Sequence, residues 1–348
     1  MISLCMIVKN EECVLEKCLE NIKDYVDEII IIDTGSYDKT KDIAEKYTNN
    51  IYDFKWCGDF SKARNFSIEK ATNDWILILD ADEVVEMFDI NSISKLIENN
   101  QKLVGRVKRI NVYEDKYGTK KYIERVNRFF NKKYFKYDGI IHEQITSKDK
   151  LSYETSNLEI IINHIGYSQE VLKRTNKINR NIELLKIAIE QNKDDPYLHY
   201  QIGKSYFLSK DFKKSYGSFR HALNLLNDFK YEYVEDLVES YGYTLLNLEL
   251  FNEALNLYDY EKYYKNNADY LFILGLVEMN LGNFQKSAET FLKCTECNEG
   301  KIEGINSYLS FYNIGVIFEC LGLKEEAIDY YNKCGEYPLA KERINIIN

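Results

Sequence analysis

Two apolar periods run in this chain, and they do not overlap. Through the first 170 residues, compact β-branched runs ("SLCMIV", "EIIIIDTGS", "NIYDF", "WILILDADE") alternate with amphipathic stretches such as "EECVLEKCLENIKDYV" and "SYDKTKDIAEKY". Short apolar strands that alternate with helices specify βαβ units and a parallel sheet covered on both faces. From about Leu172 onward the strand pattern stops and a helical one repeats itself. Gly203, Gly242, Gly275 and Gly315 sit in similar settings. Twelve residues after each comes a small residue (Ser215, Ala254, Ser287, Ala327), and sixteen after each an aromatic (Phe219, Tyr258, Phe291, Tyr331). Small residues let two helices approach closely, and the aromatics fill the gap between them. Gly282 and Gly322 supply the turn between paired helices. The interval between units runs from 33 to 40 residues, and four units fit. The expected fold class is therefore α/β plus all-α. A domain over 1–170 has a mostly parallel central sheet, and helical repeats fill 171–348.

Bulk properties narrow the function. A chain of 348 residues supports two cores. The net charge of −10 argues against a general nucleic-acid binder. No run reaches the ~18 apolar residues of a membrane helix, so no stable membrane insertion is expected. The opening "MISLCMIVKNEE" lacks the basic region, the long apolar region and the cleavage site of a signal peptide. The eight cysteines form no tight framework, and the CxxC of Cys294 and Cys297 has no second pair at zinc-ribbon spacing. Reduced thiols and a cytoplasmic location are the expectation. The richness in Asn, Ile, Lys and Tyr reads as the coding bias of an AT-rich bacterial genome.

The most informative stretch is "WILILDADE", in which a buried strand runs straight into Asp80-Ala81-Asp82-Glu83. On an extended strand end, Asp80 and Asp82 project to the same side. Two like charges so placed repel, and one would be partly protonated without a partner. A divalent cation removes the problem, because magnesium and manganese take hard oxygen ligands and use one or two carboxylates with substrate phosphates. The alternative is a pair of solvated loop acids or a helix cap. Asp33 also ends a strand, and open parallel sheets bind ligands beyond those ends.

Four motifs in order carry a resemblance: "MIVKNEE", "IIDTGSYDKT", "FSKARNFSIEKA" running into "DWILILDADE", and "GIIHEQI". Together they resemble a family 2 glycosyltransferase of GT-A fold, from Ile2 to about Tyr167. The helical units look like tetratricopeptide repeats, helix pairs near 34 residues long, although most lack that family's Trp and closing Pro. The combination is similar to bacterial family 2 enzymes that include peptide S-glycosyltransferases and related protein glycosyltransferases. The resemblance implies a nucleotide-diphosphate sugar donor, with UDP favoured, a Mn2+ or Mg2+ cofactor, and inverting transfer to a protein or peptide. A cell-envelope glycan or lipid-linked sugar is the competing acceptor. From another class, the chain would be a helical-repeat scaffold with a degenerate transferase domain. The repeats either bind the acceptor chain or make a homodimer.

The resemblance also assigns roles. Asp82 is the main metal ligand, with Asp80 beside it as second ligand or ribose contact and Ala81 between them in the same pocket. Asp33 reads the nucleobase or ribose, or else simply forms the turn in "DTGS". Val8 and Asn10 line the nucleotide pocket, and Glu12 joins them or caps the following helix. In "GDFSKARN", Asp59, Arg64 and Asn65 belong to the donor site, Arg64 forking onto a phosphate or orienting Asp80. Glu143 is the candidate general base; His142 is a base, an orienting group or a metal ligand. His164 in "INHIGY" is the candidate third metal ligand or a packed histidine. The segment from Lys102 to Lys136 is basic, which suits either solvated strand edges or diphosphate recruitment, with Arg128 the best placed to reach phosphate. His199 and His221 are expected at packed positions of the repeats.

Overall fold

The computed structural model describes residues 1–115, 118–164 and 177–347, so the expected boundary at 170/171 lies outside the described residues. The chain forms two compact units, Met1–Ala188 and Ile189–Asn348. The first holds ten strands: β1 (Ile2–Val8), β2 (Glu28–Asp33), β3 (Ile51–Asp53), β4 (Trp75–Ile78), β5 (Glu83–Phe88), β6 (Val104–Asp115), β7 (Gly118–Asn131), β8 (Phe135–Asp138), β9 (Gln144–Ser147) and β10 (Thr155–His164). All but β8 and β9, which pair as a hairpin, join one sheet in the order β3-β2-β1-β4-β7-β6-β10-β5.

The alternating half of the sequence gives the parallel part of this sheet. Strands β3, β2, β1 and β4 run parallel, and β10 runs parallel to β6. Strands β7 and β5 oppose their neighbours. The basic segment is the long β6–β7 hairpin. A short turn can join only antiparallel strands, whereas each parallel crossover needs a helix.

Both faces are covered, which is why β4 is buried along its whole length. On one face Leu4, Met6 and Val8 pack against helices α1 (Leu15–Ile22), α2 (Thr40–Ala44) and α4 (Ile90–Asn99). On the other, Cys5, Ile30, Ile76 and Ile78 meet Ile68 of α3 (Phe60–Lys70) and Phe135, Tyr137 and Ile145 of the β8–β9 hairpin. The alternation of side chains along β1 decides which residue faces which layer.

Helix α5 (Lys177–Gln191) crosses the division between units. Its first part belongs with the sheet: the Arg180 guanidinium lies 5.3 Å from the centre of the Phe60 ring.

The second unit consists of helix pairs: α6 (Pro196–Leu208) with α7 (Phe212–Leu225), α8 (Glu232–Asn247) with a broken partner, α11 (Ala268–Asn280) with α12 (Phe284–Thr295), and α13 (Tyr308–Cys320) with α14 (Lys324–Asn332). A last helix, α15 (Pro338–Ile347), follows. The glycine seam explains three of the pairs. A Cβ on Gly203, Gly275 or Gly315 would sit 2.5–2.7 Å from the ring of Phe219, Phe291 or Tyr331 respectively. Ser215 and Ser287 donate their hydroxyls to the carbonyls of Gly203 and Gly275, at 3.0 and 2.7 Å. The second pair departs from the expected spacing. Its second helix is split into α9 (Phe251–Ala254), a 3-10 segment over Leu255–Tyr260 and α10 (Glu261–Tyr264). The tighter winding shifts the register, so Leu257 rather than Tyr258 faces Gly242.

His199 and His221 are not core residues. Their rings meet edge to face at 4.3 Å, His221 is exposed, and His199 hydrogen-bonds the Lys193 carbonyl at 2.8 Å. Among the described residues no helix is long and apolar enough to cross a membrane. Among the described residues no disulfide joins any of the cysteines.

Candidate active site

Strand β4 stops at Ile78, and the chain turns at Ala81 and Asp82 before β5 begins at Glu83. The period-two argument therefore ends before the acidic tip, and Asp80 and Asp82 take different protein partners. Asp80 lies between two arginines: Arg64 Nη2 donates to Oδ1 and Arg128 Nη2 to Oδ2, both at 2.8 Å. Its backbone N–H donates to Glu83 Oε2 at 3.0 Å. Burial pushes the Asp80 carboxyl up, but Arg128 and Arg64 outweigh it and hold the group well below the usual carboxylate range.

Each arginine reaches a second carboxylate. Arg64 Nε donates to Glu143 Oε1, and Arg128 Nη2 donates to Glu83 Oε1 at 2.6 Å. Glu83 is fully buried and also receives Arg109 Nη1 at 3.2 Å. Carboxylates and guanidiniums thus alternate from Glu143 through Arg64, Asp80, Arg128 and Glu83 to Arg109. Arg128, expected to reach for phosphate, is 6% exposed and held within this chain of charges.

Asp82 faces the other way. Its Oδ2 lies 3.3 Å from His164 Nε2, at the end of β10. Burial raises the Asp82 carboxyl, and the His164 contact outweighs it to leave the group below its ordinary value. One hard oxygen and one imidazole nitrogen at this spacing suit Mn2+ or Mg2+ completed by phosphate and water. Asp80 already gives one oxygen to each of two guanidiniums, which leaves Asp82 the more open carboxylate of the two toward a cation. Among the described residues no three His, Cys, Asp or Glu side chains converge as a metal cluster.

The loops after β1 and β2 interlock beside this tip. Thr34 donates both its N–H and its hydroxyl to the Val8 carbonyl at 3.0 Å. Asn10, in the left-handed region at φ 57°, donates its N–H to Ser36 Oγ at 2.9 Å and accepts from the Tyr37 N–H at 3.0 Å. Glu12 accepts from the Lys39 N–H at 3.1 Å, so it caps the approach to α2 and not the helix that follows it. Asp33 is 2% exposed, and its carboxylate accepts the N–H groups of Gly35 and Ser36 at 3.0–3.2 Å. Gly35 at φ 106° permits that turn.

The remaining candidates hold the frame together. Asp59 caps α3, accepting from the Lys62 N–H at 3.1 Å and the Ser61 hydroxyl at 2.8 Å. Asn65 pairs both amide atoms with the backbone of Tyr137, each at 2.9 Å. Neither side chain is directed at the acidic tip. Glu143 reaches the tip through Arg64. His142 precedes it at φ 50°, a left-handed conformation uncommon outside glycine.

Residues 3–149 match the glycosyl transferase family 2, and residues 268–300 and 308–337 match the tetratricopeptide repeat. The N-terminal unit is a family 2 glycosyltransferase domain. A TPR repeat-containing protein of Synechococcus elongatus is 32% identical over 209 residues, covering 58% of this chain and 51% of that one. The SPbeta prophage-derived glycosyltransferase SunS of Bacillus subtilis is 29% identical over 217 residues, covering 59% and 49%. The chain spans about half the length of these curated relatives. A solved TPR protein with an unusual peptide-binding site, YrrB, matches with a TM-score of 0.41 at 21% identity, over 51% of this chain and 88% of its own.

Within the glycosyltransferase domain, two participants escaped the sequence. Tyr137 lies with its ring 5.5 Å from the Arg64 guanidinium, and burial pushes its phenol up to about 12. Asn111 is 4% exposed and hydrogen-bonds His164. Nothing in the local sequence marks either, since Tyr137 meets Arg64 where helix α3 packs on the β8–β9 hairpin and Asn111 meets His164 through strand pairing.

Proposed function

We propose that the chain transfers a sugar from a nucleotide-diphosphate sugar, UDP-sugar favoured, to a protein or peptide acceptor, with inversion and with Mn2+ or Mg2+ as cofactor. The observation that carries this reading is the Asp82–His164 pair beside the arginine-locked Asp80, at a sheet edge where β2 also ends in Asp33. Such edges bind nucleotides. Asp33 and the interlocked loop of Val8, Asn10 and Glu12 would hold the nucleoside, with Asp80 and Ala81 on its ribose side. Asp82 and His164 would hold the cation, which supplies charge neutralisation for the departing diphosphate. Arg64 and Arg128 keep Asp80 ionised and oriented, and Asp59 and Asn65 fix the helix that carries Arg64.

Glu143 is the base in this reading. The acceptor oxygen or sulfur bonds to the anomeric carbon as the bond from that carbon to the diphosphate oxygen breaks. The acceptor proton passes to Glu143, and the nucleoside diphosphate leaves with the electron pair. Arg64 fixes the carboxylate that receives the proton; His142 adjoins it. The kinship with a glycosyltransferase and the helical repeats, which offer an extended surface, support a polypeptide acceptor. We assign donor binding to 1–170 and acceptor recruitment to 171–348, in the cytoplasm.

A thermal-shift panel of nucleoside diphosphates with and without Mn2+ tests the donor half, because a ligand at about 100 times its Kd stabilises by about 2.7 kcal/mol. UDP with Mn2+ should raise the melting temperature, and Asp82→Asn should remove both that shift and sugar-nucleotide turnover. No shift with any nucleotide would overturn the reading.

A further inference from the structure

We propose that Asn111 and Glu124 are positioning residues that lock His164 with its proton on Nδ1, so that Nε2 is offered to a divalent cation shared with Asp82. The inference rests on the metal site proposed above and adds the device that orients it.

Strand register builds the device. Glu83 pairs with His164 across β5 and β10, His164 with Asn111 across β10 and β6, and Asn111 with Tyr122 across β6 and β7. Arg109 precedes Asn111 by two residues on β6, so it shares that face, and it pairs with Glu124 on β7. Four strands thus bring Glu83, Arg109, Glu124, Asn111 and His164 together although they are distant in sequence.

The direction of each hydrogen bond then follows by elimination. Glu124 is a carboxylate and only accepts. Its Oε1 receives Arg109 Nε at 3.2 Å and Nη2 at 2.9 Å, and Arg109 is itself anchored on buried Glu83. The same oxygen lies 2.6 Å from Asn111 Nδ2, so the NH2 end of the amide must face Glu124. A second bond from Nδ2 to the Tyr122 carbonyl, at 3.4 Å, agrees with that orientation. Asn111 Oδ1 therefore faces His164 Nδ1, at 2.7 Å. An amide oxygen cannot donate, so Nδ1 carries the hydrogen. Asn111 is 4% and His164 5% exposed, which leaves little room for water to reverse the arrangement. A neutral ring in this state has its lone pair on Nε2, 3.3 Å from Asp82 Oδ2. A divalent cation held there would meet an imidazole lone pair and a carboxylate oxygen together, with the charge of Lys177 also acting on Asp82. Partners that fix the tautomer of a metal-bound histidine typically change metal affinity 10–100-fold when removed.

The test uses the full chain with 15N-labelled histidine. There are only four histidines, and the His164 signal is assigned from its loss in His164→Gln. In metal-free alkaline buffer, wild-type His164 should show the Nδ1–H pattern. In Asn111→Leu the proton should move to Nε2, where it can be donated to Asp82. Titration with Mn2+ alone, followed by electron paramagnetic resonance, should show affinity weakened roughly 10–100-fold in Asn111→Leu. An Nε2–H pattern in the wild type would overturn the inference, and that measurement stands even where the variant does not fold. Equal Mn2+ affinity in wild type and folded Asn111→Leu would overturn it too. Neither readout involves a nucleotide, sugar or acceptor, so a protein with this lock and no transferase activity would refute the proposed function and leave the lock intact.

Discussion

Both units bury charge, but they use different cations to do it. In the glycosyltransferase domain Asp80, Glu83, Glu124 and Glu143 meet arginine while Asp82 meets His164, and each of Arg64, Arg128 and Arg109 bridges two acids. In the repeat unit, Lys301 serves Glu235 at 2.6 Å and Glu239 at 2.9 Å, while Lys204 and the Tyr200 hydroxyl serve Asp236. A guanidinium is a planar fork that fixes the direction of its partners, whereas an ammonium is a point charge that does not. The repeat cluster also carries more acid per cation: Glu235, Asp236, Glu239 and Asp269 against Lys204 and Lys301. Burial, then the nearby Asp236, Asp269 and Glu235, push the Glu239 carboxyl well up against the pull of Lys301. The difference suits two settings: the tip at the strand ends holds its groups in fixed directions, and a helix seam only needs its charges neutralised.

Exchanging the cations should give the largest effect. Arg128→Lys cannot span Asp80 and Glu83, so it leaves a buried carboxylate poorly paired, and we expect a loss of about 3–5 kcal/mol. Lys301→Arg in the repeat unit should change stability by less than about 1 kcal/mol, since no fork geometry is required there. Denaturant unfolding of both variants measures the contrast; equal losses would erase it.

Acid should separate the units next. Asp80 is held below its unfolded value, so its contribution is present above the unfolded pKa of about 3.9 and is lost as pH falls below it. Asp236 behaves alike: burial raises it, Lys204 and Lys301 outweigh that and bring it down to about 2, for a contribution on the order of 2 kcal/mol lost between about pH 4 and 2. Glu239 has the opposite sign. Its raised value gives stability that is full below the unfolded pKa of about 4.3 and lost as pH rises through the folded one. Acidified from neutrality to about pH 4.5, the repeat unit should gain stability and the glycosyltransferase domain should not. Hydrogen exchange read separately over 1–188 and 189–348 checks this, and Glu239→Gln should abolish the gain.

These contrasts also explain what the sequence could disclose. The repeat seams were legible because glycine, small residue and aromatic recur at fixed short intervals, and helix pairing preserves those intervals. They failed only where α9 breaks, since a 3-10 turn changes the count. In the glycosyltransferase domain the strands, the edge at which they end, and Asp33, Asp82 and Glu143 could be picked out as candidates. Among the partners of the acidic tip, Arg64 could be read as orienting Asp80 and His164 as a ligand beside Asp82, whereas the turn of Arg128 to Asp80 and Glu83 could not. Arg128 and Asp80 are 48 residues apart, and His164 and Asp82 are 82 apart. The repulsion between Asp80 and Asp82 was a sound inference; Arg64, readable from the sequence as orienting Asp80, relieves it together with Arg128, whose turn from phosphate to Asp80 no local pattern names.

The glycine seam offers a sharper test of that local logic. Gly275→Ala would put a methyl 2.7 Å from the Phe291 ring, so overpacking of about 1–3 kcal/mol should outweigh the helix-propensity gain of about 1 kcal/mol. Gly217 is helical too, but nothing lies within 4 Å of its would-be Cβ. Gly217→Ala should therefore stabilise by up to about 1 kcal/mol. Thermal melting of the two variants decides whether contact or propensity governs these positions.

The smallest effect concerns the turns between paired helices. Seven residues after each seam glycine, the chain enters the left-handed region: Gly282 and Gly322 at φ 77° and 78°, but Lys210 and Glu249 at 61° and 58°. The backbone is the same in all four turns, so the sequence differs where the geometry does not. A side chain with a Cβ costs roughly 1–2 kcal/mol in that conformation, part of which glycine returns as unfolded-state entropy. Lys210→Gly and Glu249→Gly should each raise stability by a few tenths to about 1 kcal/mol. Glu289→Gly, on the exposed face inside α12, should cost about 1 kcal/mol, because there the helix itself supplies the conformation. If Lys210→Gly destabilised the repeat unit by as much as that control, the Lys210 side chain would be contributing something the turn geometry alone does not require.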